Sequence, residues 1–171
     1  MTEPVEPVDA FRYVDPMTRR IIEAWIKREP DLEIPWTPLD KPLSECTVAL
    51  ISSAGLALAS DEPFDTQRER EDPWWGDPTH RVIPAGATEE DLRCHHLHIN
   101  PNHVLSDLDC ALPMRRLREL ADEGVVGQAA AEHYTMMGYI LRPAVLRTET
   151  VPKLVQALRD AAVDAVVLVP I

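Results

Sequence analysis

Apolar positions recur along this chain in two rhythms. Between Pro16 and Arg28, Met17, Ile21, Ile22, Trp25 and Ile26 fall on one face at helical spacing. Pro16 suits a first helical turn, and Pro30 stops the run. The same spacing predicts a helix over Pro113 to Ala121, with Met114, Leu117, Leu120 and Ala121 inward and Gly124 as its C-terminal cap. Thr150 is the expected N-cap of a third helix, whose apolar face is Val151, Leu154, Val155, Leu158 and Ala162. The second rhythm is a short continuous apolar run. Thr47 to Ser53 and Ala165 to Val169 both read as buried strands of a parallel sheet. Ala54-Gly55 after the first run permits close backbone approach at its carboxyl end, or makes a plain tight turn. Val125-Val126 reads as a short strand, and Leu92 to Ile99 as another.

Other segments lack such a rhythm. Residues 1 to about 15 carry proline and acid and read as a loose arm, and Glu33 to Pro42 as an extended connector. Asp61 to Gly86 is polar and too long for a bare connection. It reads as a functional or mobile loop, with the charged run Arg68 to Asp72 as solvated surface. The fold expected is α/β: a single domain over residues 34–171 with a short, mainly parallel sheet and flanking helices. An arm and helix over residues 1–33 and an extended proline-rich N-terminal segment precede it.

Charge narrows the function. The 171 residues hold 17 Lys and Arg against 29 Asp and Glu, a net charge of -12, which argues against nucleic acid and anionic membrane surfaces as partners. No run approaches the length of apolar chain that crosses a membrane, and no signal-peptide core begins the sequence. Three cysteines in such a chain fit reduced thiols and a cytoplasmic location.

The candidate chemistry is concentrated in LRCHHLHINPNHVLSDLD, residues 92 to 109. It holds four of the six histidines, Cys94, Asp107 and Asp109. On a strand, Cys94, His96 and His98 point one way and His95, Leu97 and Ile99 the other. Three readings stand open: hydrogen-bonded spacers, a metal site built on Cys94, His96 and His98 with His103 or Asp107, or acid/base and substrate-orienting imidazoles in a pocket. Arg81, near glycine and proline turns, suits a carboxylate clamp or a surface salt bridge. His133 and Tyr134 stand beside a Met-Met-Gly run whose methionines read as core fillers.

Taken in order, several segments resemble the selenoprotein B subunit family of glycine, sarcosine, betaine and D-proline reductases. They are PWTPLDKPLSECTVALISSAG, Pro63-Phe64-Asp65, Gly76-Asp77-Pro78 with Arg81 and Pro84, His96-Leu97-His98 and Asp107-Leu108-Asp109. LPMRRLRELADEGVVG, His133-Tyr134-Thr135-Met136-Met137-Gly138-Tyr139 and the final VDAVVLVPI complete the set. Asp109 stands where the family pattern has asparagine, and Asn100 where aspartate is common. The resemblance implies a subunit of a selenol- or thiol-dependent reductase that cleaves a carbon–nitrogen bond in a small amino-acid-like substrate. It makes His96, His98, Asp107, Asp109 and His133 candidate catalytic groups, and Arg81, Gly55 and Tyr134 candidate substrate contacts. It implies no cofactor within this chain, a selenocysteine or cysteine expected after Ile171, a thiol reductant, and a protein partner or second copy. The alternatives are a non-catalytic binding subunit completed by a partner chain and a metal-dependent lyase or hydrolase using Cys94, His96 and His98.

Overall fold

The computed structural model describes residue 9, residues 11–28, residue 33 and residues 35–171. Most of the arm expected over residues 1 to 15, and the Pro30 stop, lie outside the described residues. The chain divides into two compact units, Met1–Pro38 and Leu39–Ile171. In the first, α1 (Pro16–Ile26) is capped by Asp15, whose carboxylate accepts from the N–H of Met17 and Thr18. This supplies acceptors to donors that have no intrahelical partner. Met17, Trp25 and Ile26 on its apolar side are exposed.

The second unit is the predicted α/β domain. Its sheet is built on β1 (Thr47–Ser52), whose residues are mostly buried because both faces are covered. β7 (Ala165–Val169) runs parallel along one edge of β1, from Val48↔Ala165 to Ser52↔Val169. Along the other edge lie β5 (Gln128–Ala129) and then β6 (Glu132–Met136), both parallel to β1. β3 (His80–Pro84) closes the far side, antiparallel to β6. A separate antiparallel pair joins β2 (Leu56–Leu58) to β4 (Leu92–Cys94). Short helices α2 (Thr66–Glu71) and α3 (Pro101–Ser106) hold the loops, and α4 (Met114–Asp122) and α5 (Val151–Asp160) are the longer ones. Val48, Leu50, Leu56, Ile83, Leu92, Leu112 and Leu117 form the core. At roughly 2 kcal/mol for each fully buried aliphatic side chain, this cluster is the main cohesive force.

Several expectations are corrected. The histidine strand stops at Cys94, pairs among the described residues only with β2, and gives way to a turn over residues 97–99. Pro101 starts α3, capped by Asn100, as proline at a first helical position does. Val125-Val126 is not a strand; pairing begins at Gln128, after Gly127 has crossed close to the backbone of Glu45 and Cys46. The Asp61 to Gly86 region contains α2 and β3. Thr150 ends a π-helical turn, and its hydroxyl donates to the Pro78 carbonyl at 2.6 Å rather than capping α5. β7 is not a buried strand. Among the described residues it is the edge of the sheet, with Leu168 70 % exposed.

Candidate functional site

The carboxyl ends of the parallel strands meet the histidine turn. Beyond β1, Gly55 takes a left-handed backbone (φ +61), donates its N–H to the Met136 carbonyl at 2.9 Å, and accepts the His95 N–H at 2.9 Å. A Cβ there would stand 2.5 Å from the Met137 sulfur, so glycine is what lets the two chains touch. The main chain then turns, and the His98 N–H donates to His96 Nδ1 at 3.1 Å. That bond puts the proton of neutral His96 on Nε2. His96 is buried, and its Nε2 has no partner among the described residues. A Cβ at Gly138 would lie 2.5 Å from this atom, 3.1 Å from the Ile171 carbonyl and 3.2 Å from the Ser53 carbonyl. The free N–H therefore stands at the shared carboxyl edge of β1, β6 and β7. The Ser53 hydroxyl ties that edge together, accepting the Ile171 N–H at 2.8 Å.

His98 sits beside His96, ring centroids 5.8 Å apart, and is half-exposed. Its Nε2 is 3.2 Å from Oε1 of Glu69, and Tyr139 lies against its ring at 4.3 Å. Tyr139 is one of two described non-glycine residues with positive φ, at 56°. Glu69 is buried, and its second oxygen has no partner among the described residues. Burial raises the Glu69 pKa and His98 partly offsets this; burial lowers that of His96, with the neighbouring His98 adding to the effect.

Two sequence segments combine to place Glu69. The Asp77 carboxylate accepts from the N–H of Asp65 (2.8 Å) and from the N–H and hydroxyl of Thr79 (2.8 and 2.6 Å). Asp65 caps α2 through the Arg68 N–H. Arg81 donates to the Glu62, Pro63 and His80 carbonyls and to the Thr79 hydroxyl, and lies over the Phe64 ring at 4.2 Å. Gly76 packs closely on Tyr139 and Ile140. The Pro-Phe-Asp and Gly-Asp-Pro segments are thus one knot that fixes α2, and with it Glu69, against His98. Glu69 was hidden in a run read as solvated surface. Only the Asp65 cap, three residues before Arg68, hinted at a short helix there.

The remaining candidates lie apart from this pair. Asp107 and Asp109 hold the start of α4: Arg115 donates to Asp109 at 2.8 Å and to Asp107 at 3.2 Å. His133 is fully buried within β6, and its Nδ1 accepts the Leu50 N–H at 3.2 Å, filling the gap between β5 and β6 in the ladder. Tyr134 is also buried, 6.2 Å from the His80 ring. Cys94, His96 and His98 do not converge as ligands. The Cys94 thiol points to the Ala54 carbonyl at 3.6 Å, and His96 Nδ1 is already engaged. Among the described residues no three His, Cys, Asp or Glu side chains form a metal-binding group. A cavity of about 830 Å³ lies elsewhere, at the amino ends of the strands, lined by Thr47, Gln128, Arg118 and His133 among others.

Residues 27–170 match the model of the family described as glycine/sarcosine/betaine reductase selenoprotein B. The chain is 32% identical over 133 residues to the D-proline reductase subunit gamma of Acetoanaerobium sticklandii, covering 78% of this chain and 52% of that protein. It thus spans about half the length of this curated relative. No solved structure matches. No helix among the described residues is long and apolar enough to cross a membrane.

Proposed function

The chain belongs to the glycine/sarcosine/betaine reductase selenoprotein B family, and on that premise we propose that it supplies the proton-handling half of a reductive carbon–nitrogen cleavage site. A selenol or thiol pair from outside these residues supplies the nucleophile and the two electrons. The cysteines of this chain are poor candidates for that role. Cys46 is buried, with its thiol toward the Pro42 carbonyl at 3.3 Å; burial pushes the Cys94 thiol up, away from thiolate; and Cys110 stands alone on the surface. The residues here have complementary tasks. The neutral His96 N–H offers a fixed hydrogen bond to a substrate carboxylate oxygen. His98 and Glu69 hold a proton between them for the departing nitrogen, which takes it with the electron pair of the broken bond. The free Glu69 oxygen and the free His96 N–H are one acceptor and one donor about the same imidazole, suited to the ammonium and carboxylate ends of a small amino acid.

The single observation that carries this reading is the buried His96 N–H left without a partner among the described residues, at the carboxyl edge of the sheet. Such an orphan disfavours the fold by about 1–3 kcal/mol unless something binds it. The test is consumption of glycine, sarcosine, betaine and D-proline by the assembled reductase with a dithiol reductant. His96→Ala, His98→Ala and Glu69→Gln are each expected to lower kcat by about 100-fold or more. A second reading, a non-catalytic binding subunit whose sheet a partner completes, draws on the exposed edge of β7. Full turnover in all three variants, with assembly intact, would favour it and sink the first.

A further inference from the structure

We propose that Tyr139 is a positioning residue: a strained, left-handed backbone sets its ring against His98 and so holds that imidazole on the Glu69 carboxylate. This rests on the reading of His98 and Glu69 as a proton-handling pair.

Left-handed backbone at a bulky aromatic is unfavourable, because its Cβ crowds the neighbouring carbonyl. It persists only where the surrounding chain fixes it. At Tyr139 φ is 56°, and the chain is pinned on both sides. Met137 bridges to Ala54. Gly138 passes so near His96 that a Cβ would lie 2.5 Å from its Nε2. A Cβ on Gly76 would come within 3.2 Å of the Tyr139 carbonyl and 3.0 Å of the Ile140 side chain, so the Gly-Asp-Pro segment clamps the kink from outside. Arg142 then donates to Asp72, the C-terminal cap of α2, at 2.9 Å.

Glycine would make the same kink without this strain. What it would lack is the ring. The His98 side chain is 48% exposed, and an imidazole that open ordinarily moves among rotamers. Three groups surround it here. Glu69 Oε1 lies 3.2 Å from its Nε2, the His96 ring stands edge-on at 5.8 Å, and the Tyr139 ring lies nearer, at 4.3 Å and tilted by 48°. A His98 that swung away would leave the buried Glu69 carboxylate without the partner that offsets its desolvation. Backbone strain at Tyr139 is thus offset by a fixed imidazole.

The test compares Tyr139→Phe, Tyr139→Ala and Tyr139→Gly in the full chain. Three-bond NMR couplings about the His98 χ1 bond should report one rotamer in the parent and in Tyr139→Phe, and averaging over rotamers in the other two. In urea, Tyr139→Gly should unfold at a higher concentration than Tyr139→Ala, because both lack the ring and only alanine retains the strain. In the assembled reductase with its dithiol reductant, Tyr139→Ala and Tyr139→Gly should each lower kcat by about 10- to 100-fold, with Tyr139→Phe at the parent rate. A single His98 rotamer in Tyr139→Gly, or a Tyr139→Gly no more stable than Tyr139→Ala, would overturn the proposal. Averaged rotamers with full turnover would uphold Tyr139 as the group that holds His98 and overturn instead the catalytic reading of the pair.

Discussion

His96 and His133 begin from the same chemistry and end in different jobs. Each accepts a main-chain N–H at Nδ1, each carries its proton on an Nε2 without a partner among the described residues, and each has its pKa lowered first by burial. His96 stands on a turn at the carboxyl ends of the strands, with half-exposed His98 and the Glu69 carboxylate close by. His133 lies inside β6, fully enclosed, and replaces a missing rung between β1 and the β5–β6 break. An identical side chain with identical hydrogen bonding meets ionisable neighbours or the interior of a sheet according to whether the backbone around it is a loop or a ladder.

That contrast predicts a large difference on truncation. His133→Ala removes a fully buried ring and strands the Leu50 N–H, and should destabilise the fold by about 4 kcal/mol. His96→Ala should lose less than half of that, because its Nδ1 partner sits on a turn that solvent can reach. Urea unfolding of both variants measures this, and equal losses would erase the distinction.

Acid should separate them next. Folding depresses His133 from 6.5 to about 4, so the unfolded chain binds the proton first as pH falls. Stability is therefore full above pH 6.5 and lost down to about pH 4, by about 3 kcal/mol from this group. His96 is shifted in the same direction. Glu69, whose folded pKa is raised, works the other way, its contribution falling as pH climbs through the carboxylate range. His133→Gln, which can still accept from Leu50, should flatten the acid limb; an unchanged limb would show that another group carries it.

Glycines sharpen the comparison at a smaller scale. Gly138→Ala drives a methyl toward His96 Nε2 and the Ser53 and Ile171 carbonyls, and should destabilise by roughly 1–3 kcal/mol while displacing the imidazole. Gly86→Ala meets nothing within 4 Å and should fall within about 0.5 kcal/mol of the parent. Glu69→Gln should also change stability little. Relieving a buried charge of its desolvation should leave stability at pH 8 unchanged or higher by less than about 1 kcal/mol, even as turnover falls. A clear loss of stability there would mean that the pair with His98 is structural.

Much of the scaffold was legible in the chain. β1 and β7 announced themselves as short β-branched runs. α1, α4 and α5 followed from helical spacing of apolar residues, and the Gly124 cap sits at positive φ as expected. β3 was not legible, because His80-Arg81-Val82-Ile83-Pro84 is half polar and its burial comes only from pairing with β6. β6 escaped for a related reason: its His-Tyr-Thr core is polar by composition yet buried through hydrogen bonds to Leu50 and Leu56. The histidine turn was misread as a long strand, since alternation in His-His-Leu-His looks the same whether or not a partner strand continues beside it.

What the sequence determined by itself was the class of fold, the family and the stretch in which the imidazoles lie, because each depends on local spacing and residue type. Only the tertiary structure decided that Glu69 belongs with His98, that Asp107 and Asp109 serve α4, and that His133 completes a ladder. Those assignments depend on which groups are left without a partner once distant segments have packed. A lone pair or an N–H becomes a site only when the surrounding chain has removed water from it and supplied nothing in return.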